Sequence, residues 1–122
     1  AYNVAICQRA QKILNKAGKE KLAELESLIL EYSTLGPSAL PKTKFNGGEG
    51  WFPSIKAANK IRLEAFKPWQ LRAYGFCRQY KGRPWFFITG IALTKKRDGA
   101  DKNILKAAAK EAVRVNDEIE RS

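Results

Sequence analysis

Between residues 69 and 80 small or apolar side chains alternate with polar ones. Trp69, Leu71, Ala73, Gly75 and Cys77 share one parity, and Gln70, Arg72, Tyr74, Phe76, Arg78 and Tyr80 share the other. A period of two sends these sets to opposite faces of a β-strand. The first set suits a core. The second predicts an exposed face carrying guanidiniums and phenols, with Phe76 as its one apolar member. Lys81-Gly82-Arg83-Pro84 then supplies turn chemistry, because glycine accepts positive φ and proline suits the start of a following strand. Trp85 to Leu93 is apolar at both parities. That pattern predicts a central strand with helices on one side and a partner or further side chains on the other.

Elsewhere the spacing is helical. Ile6, Ala10, Ile13, Leu14 and Ala17 recur on one helical face before Gly18, although Tyr2, Val4 and Ile6 also fit a short first strand. From Lys19 to Leu35 the residues Leu22, Leu25, Leu28, Ile29, Tyr32 and Leu35 form a broad stripe opposite Lys21, Glu24 and Glu31. Gly36-Pro37-Ser38 ends that helix. The stretch from 42 to 60, with Gly47-Gly48-Glu49-Gly50, reads as a long surface loop. Over 54 to 66, Ile55, Ala58 and Ile61 fit a helical face while Ile61, Leu63 and Ala65 fit a strand, and a strand over about Lys60 to Phe66 is the favoured reading. Asp98 and Asp101 fit as N-caps of a final helix with a narrow, alanine-rich stripe at Ile104, Ala108, Ala112, Val115 and Ile119.

With 122 residues the chain has room for one domain, 1–122, and its 44% hydrophobic content allows a packed core. The net charge of +11 is uneven: between Ile61 and Arg97 nine Lys or Arg face a single acid, Glu64. Such a surface favours polyanions, with salt-dependent binding through counterion release. No basic amphipathic helix with an aromatic apolar face points to a membrane. Cys7 and Cys77 make no CxxC pair, so reduced thiols are the default. No signal peptide or long apolar stretch is evident, and a cytoplasmic location is expected.

The chain contains no histidine, which removes histidine-based acid–base catalysis and His-ligated metal sites; no metal and no cofactor is expected. The acids cluster in the predicted helices, so a paired-carboxylate or two-metal nuclease is poorly supported. What remains is a cationic and phenolic set. Such groups can cleave RNA without metal by holding the 2′-hydroxyl in line with the phosphate while arginine stabilises the charge developing on phosphorus. Lysine or tyrosine would move the protons if neighbouring cations depress its pKa, and Lys95, Lys96 and Arg97 form such a like-charge cluster. Arginine and tyrosine at alternate positions are also what an ordinary solvated strand carries, and Tyr74 also fits cross-strand packing.

Four short motifs occur in order: the helix running into Leu35-Gly-Pro-Ser-Ala-Leu-Pro-Lys42, then Gln70-Leu71-Arg72, then Cys77-Arg78-Gln79-Tyr80, then a strand ending in Lys95-Lys96. In this order they resemble the RelE/ParE superfamily of toxins from bacterial type II toxin–antitoxin pairs, in particular its phage-derived HigB-type branch. Leu93 departs from the family's phenylalanine, the 42–60 stretch is longer, and residues 1–18 have no counterpart. The resemblance implies an α+β fold: a small antiparallel or mixed sheet of about four strands, two N-terminal helices on one face and a C-terminal helix beside the sheet. It implies a ribosome-dependent mRNA endoribonuclease and a cognate antitoxin, expected to be a small helix-turn-helix protein, over the basic face. Arg72 and Arg78 would contact the scissile phosphate, Lys95 and Lys96 would position substrate or move protons, and Tyr80 would stack on a base or move a proton. Tyr74, Lys81, Arg83 and Arg97 would bind RNA. The alternatives are a ParE-like inhibitor of DNA gyrase that cleaves nothing, and a basic RNA- or ribosome-binding module.

Overall fold

A strand that is apolar on both faces needs cover on both, and the chain supplies two layers of it. The computed structural model describes residues 2–53, 60–68, 70–93 and 102–121. Its elements run β1 (Asn3–Ile6), α1 (Gln8–Leu14), α2 (Lys19–Leu35), a 3₁₀ turn at Pro37–Ala39, β2 (Phe45–Pro53), β3 (Lys60–Phe66), β4 (Arg72–Tyr80), β5 (Arg83–Ala92) and α3 (Lys102–Arg121). The fold is α+β with a mixed five-stranded sheet in the order β1-β5-β4-β3-β2. β1 lies parallel to β5, and every other neighbouring pair is antiparallel. Among the described residues no helix is long and apolar enough to cross a membrane.

The sheet has one strand more than the four expected because the glycine-rich stretch read as a loop forms β2. Its backbone is satisfied by pairing with β3, from Phe45 opposite Phe66 to Pro53 opposite Lys60, with a register shift between Asn46 and Gly50. Interstrand hydrogen bonds here outweigh poor local strand propensity, and glycine tolerates the irregularity. The N-terminal stretch resolves into both readings, β1 followed by α1. α2 occupies the expected span and stops where Gly36 turns to φ 90°. Of its apolar stripe, Leu25, Leu28 and Tyr32 are buried while Leu35 stays exposed. Asp98 and Asp101, the expected N-caps of the last helix, and Trp69 lie outside the described residues.

α1 and α2 cover one sheet face. There Tyr32 meets Phe45, Phe66 and Phe86 with ring centroids 5.2, 5.3 and 5.8 Å apart, next to Leu71, Ala73, Ile88 and Ile91. Tilted and edge-on contacts of this kind add to the burial itself. α3 covers the other face, where Ala108, Ala109, Ala112, Val113 and Val115 pack on Ile61, Leu63, Tyr74, Phe76 and Phe87. The C-terminal helix therefore lies across the sheet rather than beside it. Small residues let it approach closely. A β-bulge on β5 sets its seat: the register steps from Tyr74 opposite Gly90 to Gly75 opposite Ile88, which places Thr89 and Gly90 on the same side. The Thr89 hydroxyl donates to the Ala108 carbonyl at 2.9 Å, and a Cβ on Gly90 would fall 2.5 Å from that of Ala108. The buried Glu111 pairs with Arg114 within α3 and reaches Arg9 of α1 at 3.9 Å.

Cys77 has the core parity and faces α2: the residue as a whole is exposed, but its Sγ points inward and shares a part-buried 3.3 Å hydrogen bond with Tyr32 Oη. Burial pushes this thiol from 9.0 up to about 11, the Tyr32 hydroxyl pulls it partly back, and Glu64 pushes it up again. Burial and the Cys77 contact likewise raise the Tyr32 phenol. The folded state thus holds the Cys77 proton more tightly than the unfolded chain does. Below pH 9 the thiol adds no pH dependence; as pH rises from about 9 through about 11, stability falls. In a Cys7→Ser background, the native thiol should react with a disulfide reagent at pH 8 about tenfold more slowly than after unfolding, because the smaller thiolate fraction is partly offset by the greater nucleophilicity of the more basic thiolate. Equal rates in the two states would contradict the assignment.

Candidate nucleic-acid interface

The parity assigned to β4 is the one observed, but the face read as open is the one α3 covers. Tyr74 is 1% exposed and Phe76 3%, so Tyr74 is a packing residue beneath α3 and cannot touch RNA. This corrects its assignment to an RNA-binding role. The reason lies in the partners: Tyr74 and Phe76 continue an apolar face made by Ile61, Leu63 and Ala65 on β3 and by Phe87 on β5, and the alanines of α3 close over it.

The arginines lie at opposite ends of the strand. Arg72 pairs with Ala92 at one end of the β4–β5 ladder, and Arg78 pairs with Trp85 near the other. Six residues of extended chain separate them by about 20 Å, too far for one phosphate. Arg72 is half-buried and donates through Nη1 to the carbonyls of Leu71 at 2.8 Å and Pro68 at 3.2 Å. Lys95, Lys96 and Arg97 lie outside the described residues. The expected convergence of Arg72 and Arg78 on a single anion is therefore not observed.

The hairpin end, by contrast, brings several expected residues together. Tyr80 pairs with Arg83 across a two-residue turn whose central residues, Lys81 and Gly82, have φ 53° and 76°. Positive φ at both is the signature of the tight hairpin turn that matches strand twist. The Lys81 Nζ sits 5.3 Å from the centroid of the Tyr80 ring, and Lys81 and Arg83 are exposed. Tyr80 is half-buried, its ring 6.1 Å from Trp85 and 6.2 Å from Phe87; Trp85 and Phe87 are themselves stacked at 5.8 Å.

Arg78 crosses from β4 to α3. Its Nη1 donates to Asn116 Oδ1 at 2.6 Å and to Glu120 Oε1 at 3.1 Å, and its Nε donates to the Gln79 carbonyl at 3.1 Å. Asn116 and Glu120 are four residues apart and so share a helix face, but nothing local in the sequence couples them to an arginine 38 residues upstream. Beside this contact opens a crevice of about 410 Å³ lined by Arg78, Gln79, Tyr80, Lys81 and Ile119. A second, of about 340 Å³, continues it over Tyr80, Phe87, Val115, Glu118 and Ile119. Cations and a phenol thus border one end of a groove with an apolar floor. That is the mix that grips a phosphate and offers an unstacked base a surface. Among the described residues no three His, Cys, Asp or Glu side chains gather as a metal cage. Compared with protein-family models, with curated proteins and with solved structures, the chain matches none.

Proposed function

We propose that this chain is the toxin of a toxin–antitoxin pair of the RelE/ParE kind and cleaves messenger RNA on the ribosome. The observation that carries this reading is the crevice at the hairpin end, where Arg78, Tyr80 and Lys81 border one space. In the proposed reaction the 2′-oxygen attacks phosphorus and the bond to the 5′-oxygen breaks, leaving a 2′,3′-cyclic phosphate and a 5′-hydroxyl. Arg78 neutralises the charge that develops on the phosphoryl oxygens. Tyr80 stacks on the neighbouring base or relays a proton, and Lys81 and Arg83 hold the backbone. Arg72, at the far end of β4, serves a different phosphate along the same strand, and Lys95 and Lys96 keep the role of substrate positioning or proton transfer. The antitoxin covers this basic end.

A second reading, a binding module for RNA or the ribosome without chemistry, is favoured by the separation of Arg72 from Arg78 and by the bonds Arg78 makes to α3. Induced expression followed by primer extension on cellular messages separates the two. Growth arrest with new 5′ ends is expected. Arrest with unaltered messages assigns the binding module, and intact messages with DNA damage assign a gyrase inhibitor. Undiminished growth overturns the proposal.

A further inference from the structure

A guanidinium has five N–H donors in a rigid plane. In Arg78 the protein engages three of them: Nε on the Gln79 carbonyl, and both Nη1 hydrogens on α3, at Asn116 Oδ1 and Glu120 Oε1. Among the described residues Nη2 makes no hydrogen bond, and the side chain is 28% exposed beside the crevice. The two α3 partners differ in kind. The Asn116 amide oxygen is neutral, so it orients the guanidinium and leaves its full charge for a ligand. The Glu120 carboxylate is 56% exposed and opposes that charge with its own. Both sit on a helix that is held on the sheet, since Ala108 is seated on the β5 bulge and Ala109, Ala112, Val113 and Val115 pack on the strands below.

We infer that Asn116 is a positioning residue that aims Arg78 at an RNA phosphate, and that Glu120 is a built-in competitor for the same guanidinium. The inference rests on the RNA-directed reading above. The two residues therefore act with opposite sign. Removing Asn116 leaves the guanidinium held by the Gln79 carbonyl and by Glu120, the partner that competes with a phosphate, so its aim is loosened and affinity falls. Neutralising Glu120 leaves a hydrogen-bond acceptor in place but removes the charge a phosphate has to displace, so affinity rises. A loss of folded protein would weaken binding in both cases and cannot produce the second result.

The test is fluorescence anisotropy with a short, labelled single-stranded RNA of mixed sequence at fixed ionic strength. Asn116→Ala is expected to weaken binding about tenfold, the scale of a lost hydrogen bond to a charged group. Glu120→Gln is expected to tighten it about threefold, the scale of an exposed ion pair. Arg78→Ala sets the floor and should lower the salt dependence by the equivalent of about one phosphate contact. If Arg78→Ala weakens binding while Asn116→Ala and Glu120→Gln both match the parent protein, the inference fails and the RNA-directed reading stands. If the parent protein does not bind the RNA, or Arg78→Ala binds as well as it does, that reading fails and the inference falls with it.

Discussion

Gly75→Ala is expected to remove a large part of the protein's stability. A Cβ at this position would lie 2.1 Å from the Phe87 carbonyl oxygen, 2.9 Å from its carbonyl carbon and 2.7 Å from a ring carbon of Phe86. Two of these atoms are backbone of the neighbouring strand, so no rotamer change relieves the contact. β4 and β5 would have to part where Gly75 pairs with Ile88, beside the bulge that seats α3. Overpacking in a close-packed interior costs about 1–3 kcal/mol when side chains can adjust, and a rigid backbone partner puts this case at the upper end or beyond. Against a total stability on the order of 5–15 kcal/mol, a loss of about 3 kcal/mol or more shifts the urea midpoint far toward zero. Gly18, around which nothing lies within 4 Å, is the steric control. An unchanged midpoint for Gly75→Ala would refute the packing described for the β4–β5 ladder.

Arg78→Ala is expected to abolish growth inhibition while leaving the fold intact, and Arg72→Ala is expected to do something different. Arg78 bridges half-exposed groups at the edge of the molecule, where such contacts contribute at most about 1 kcal/mol. Its loss removes one of the two cations that line the crevice without opening a cavity. Arg72 instead donates to the Pro68 and Leu71 carbonyls and so braces the turn that leads into β4. Truncating it should cost about 1 kcal/mol of stability, because those carbonyls lose a charged donor. Thermal unfolding together with colony counts after induction distinguishes the two variants. Full toxicity in well-folded Arg78→Ala would remove the guanidinium from the proposed chemistry.

Much of the architecture is legible in one-dimensional patterns because those patterns are set by local geometry. The span of α2 follows from a leucine stripe and a terminating glycine, and β3 and the β4–β5 hairpin follow from period-two alternation and turn chemistry. β2 is hidden because what holds it is pairing with β3 and the burial of Phe45, while four of its residues are Asn46, Gly47, Gly48 and Gly50. The burial of Tyr74 is legible in the sequence in principle. Two apolar faces on the sheet require two covers, Phe76 already marked the second face, and the alanine-rich stripe of the last helix had nowhere else to go.

The chain's own residues determined the helix and strand periods, the side of each strand on which every β4 residue lies, the turn at Lys81-Gly82, and the excess of positive charge around the hairpin. These follow from dihedral preference, side-chain period and formal charge, all properties of neighbours in sequence. Only the tertiary structure decided which of those residues meet water. Packing α3 across the second sheet face buries Tyr74, brings Asn116 and Glu120 onto Arg78, and leaves the hairpin end as the place where the cations border a crevice. Burial and long-range hydrogen bonding depend on which distant surface offers the complementary shape, and that choice is made by the whole core at once.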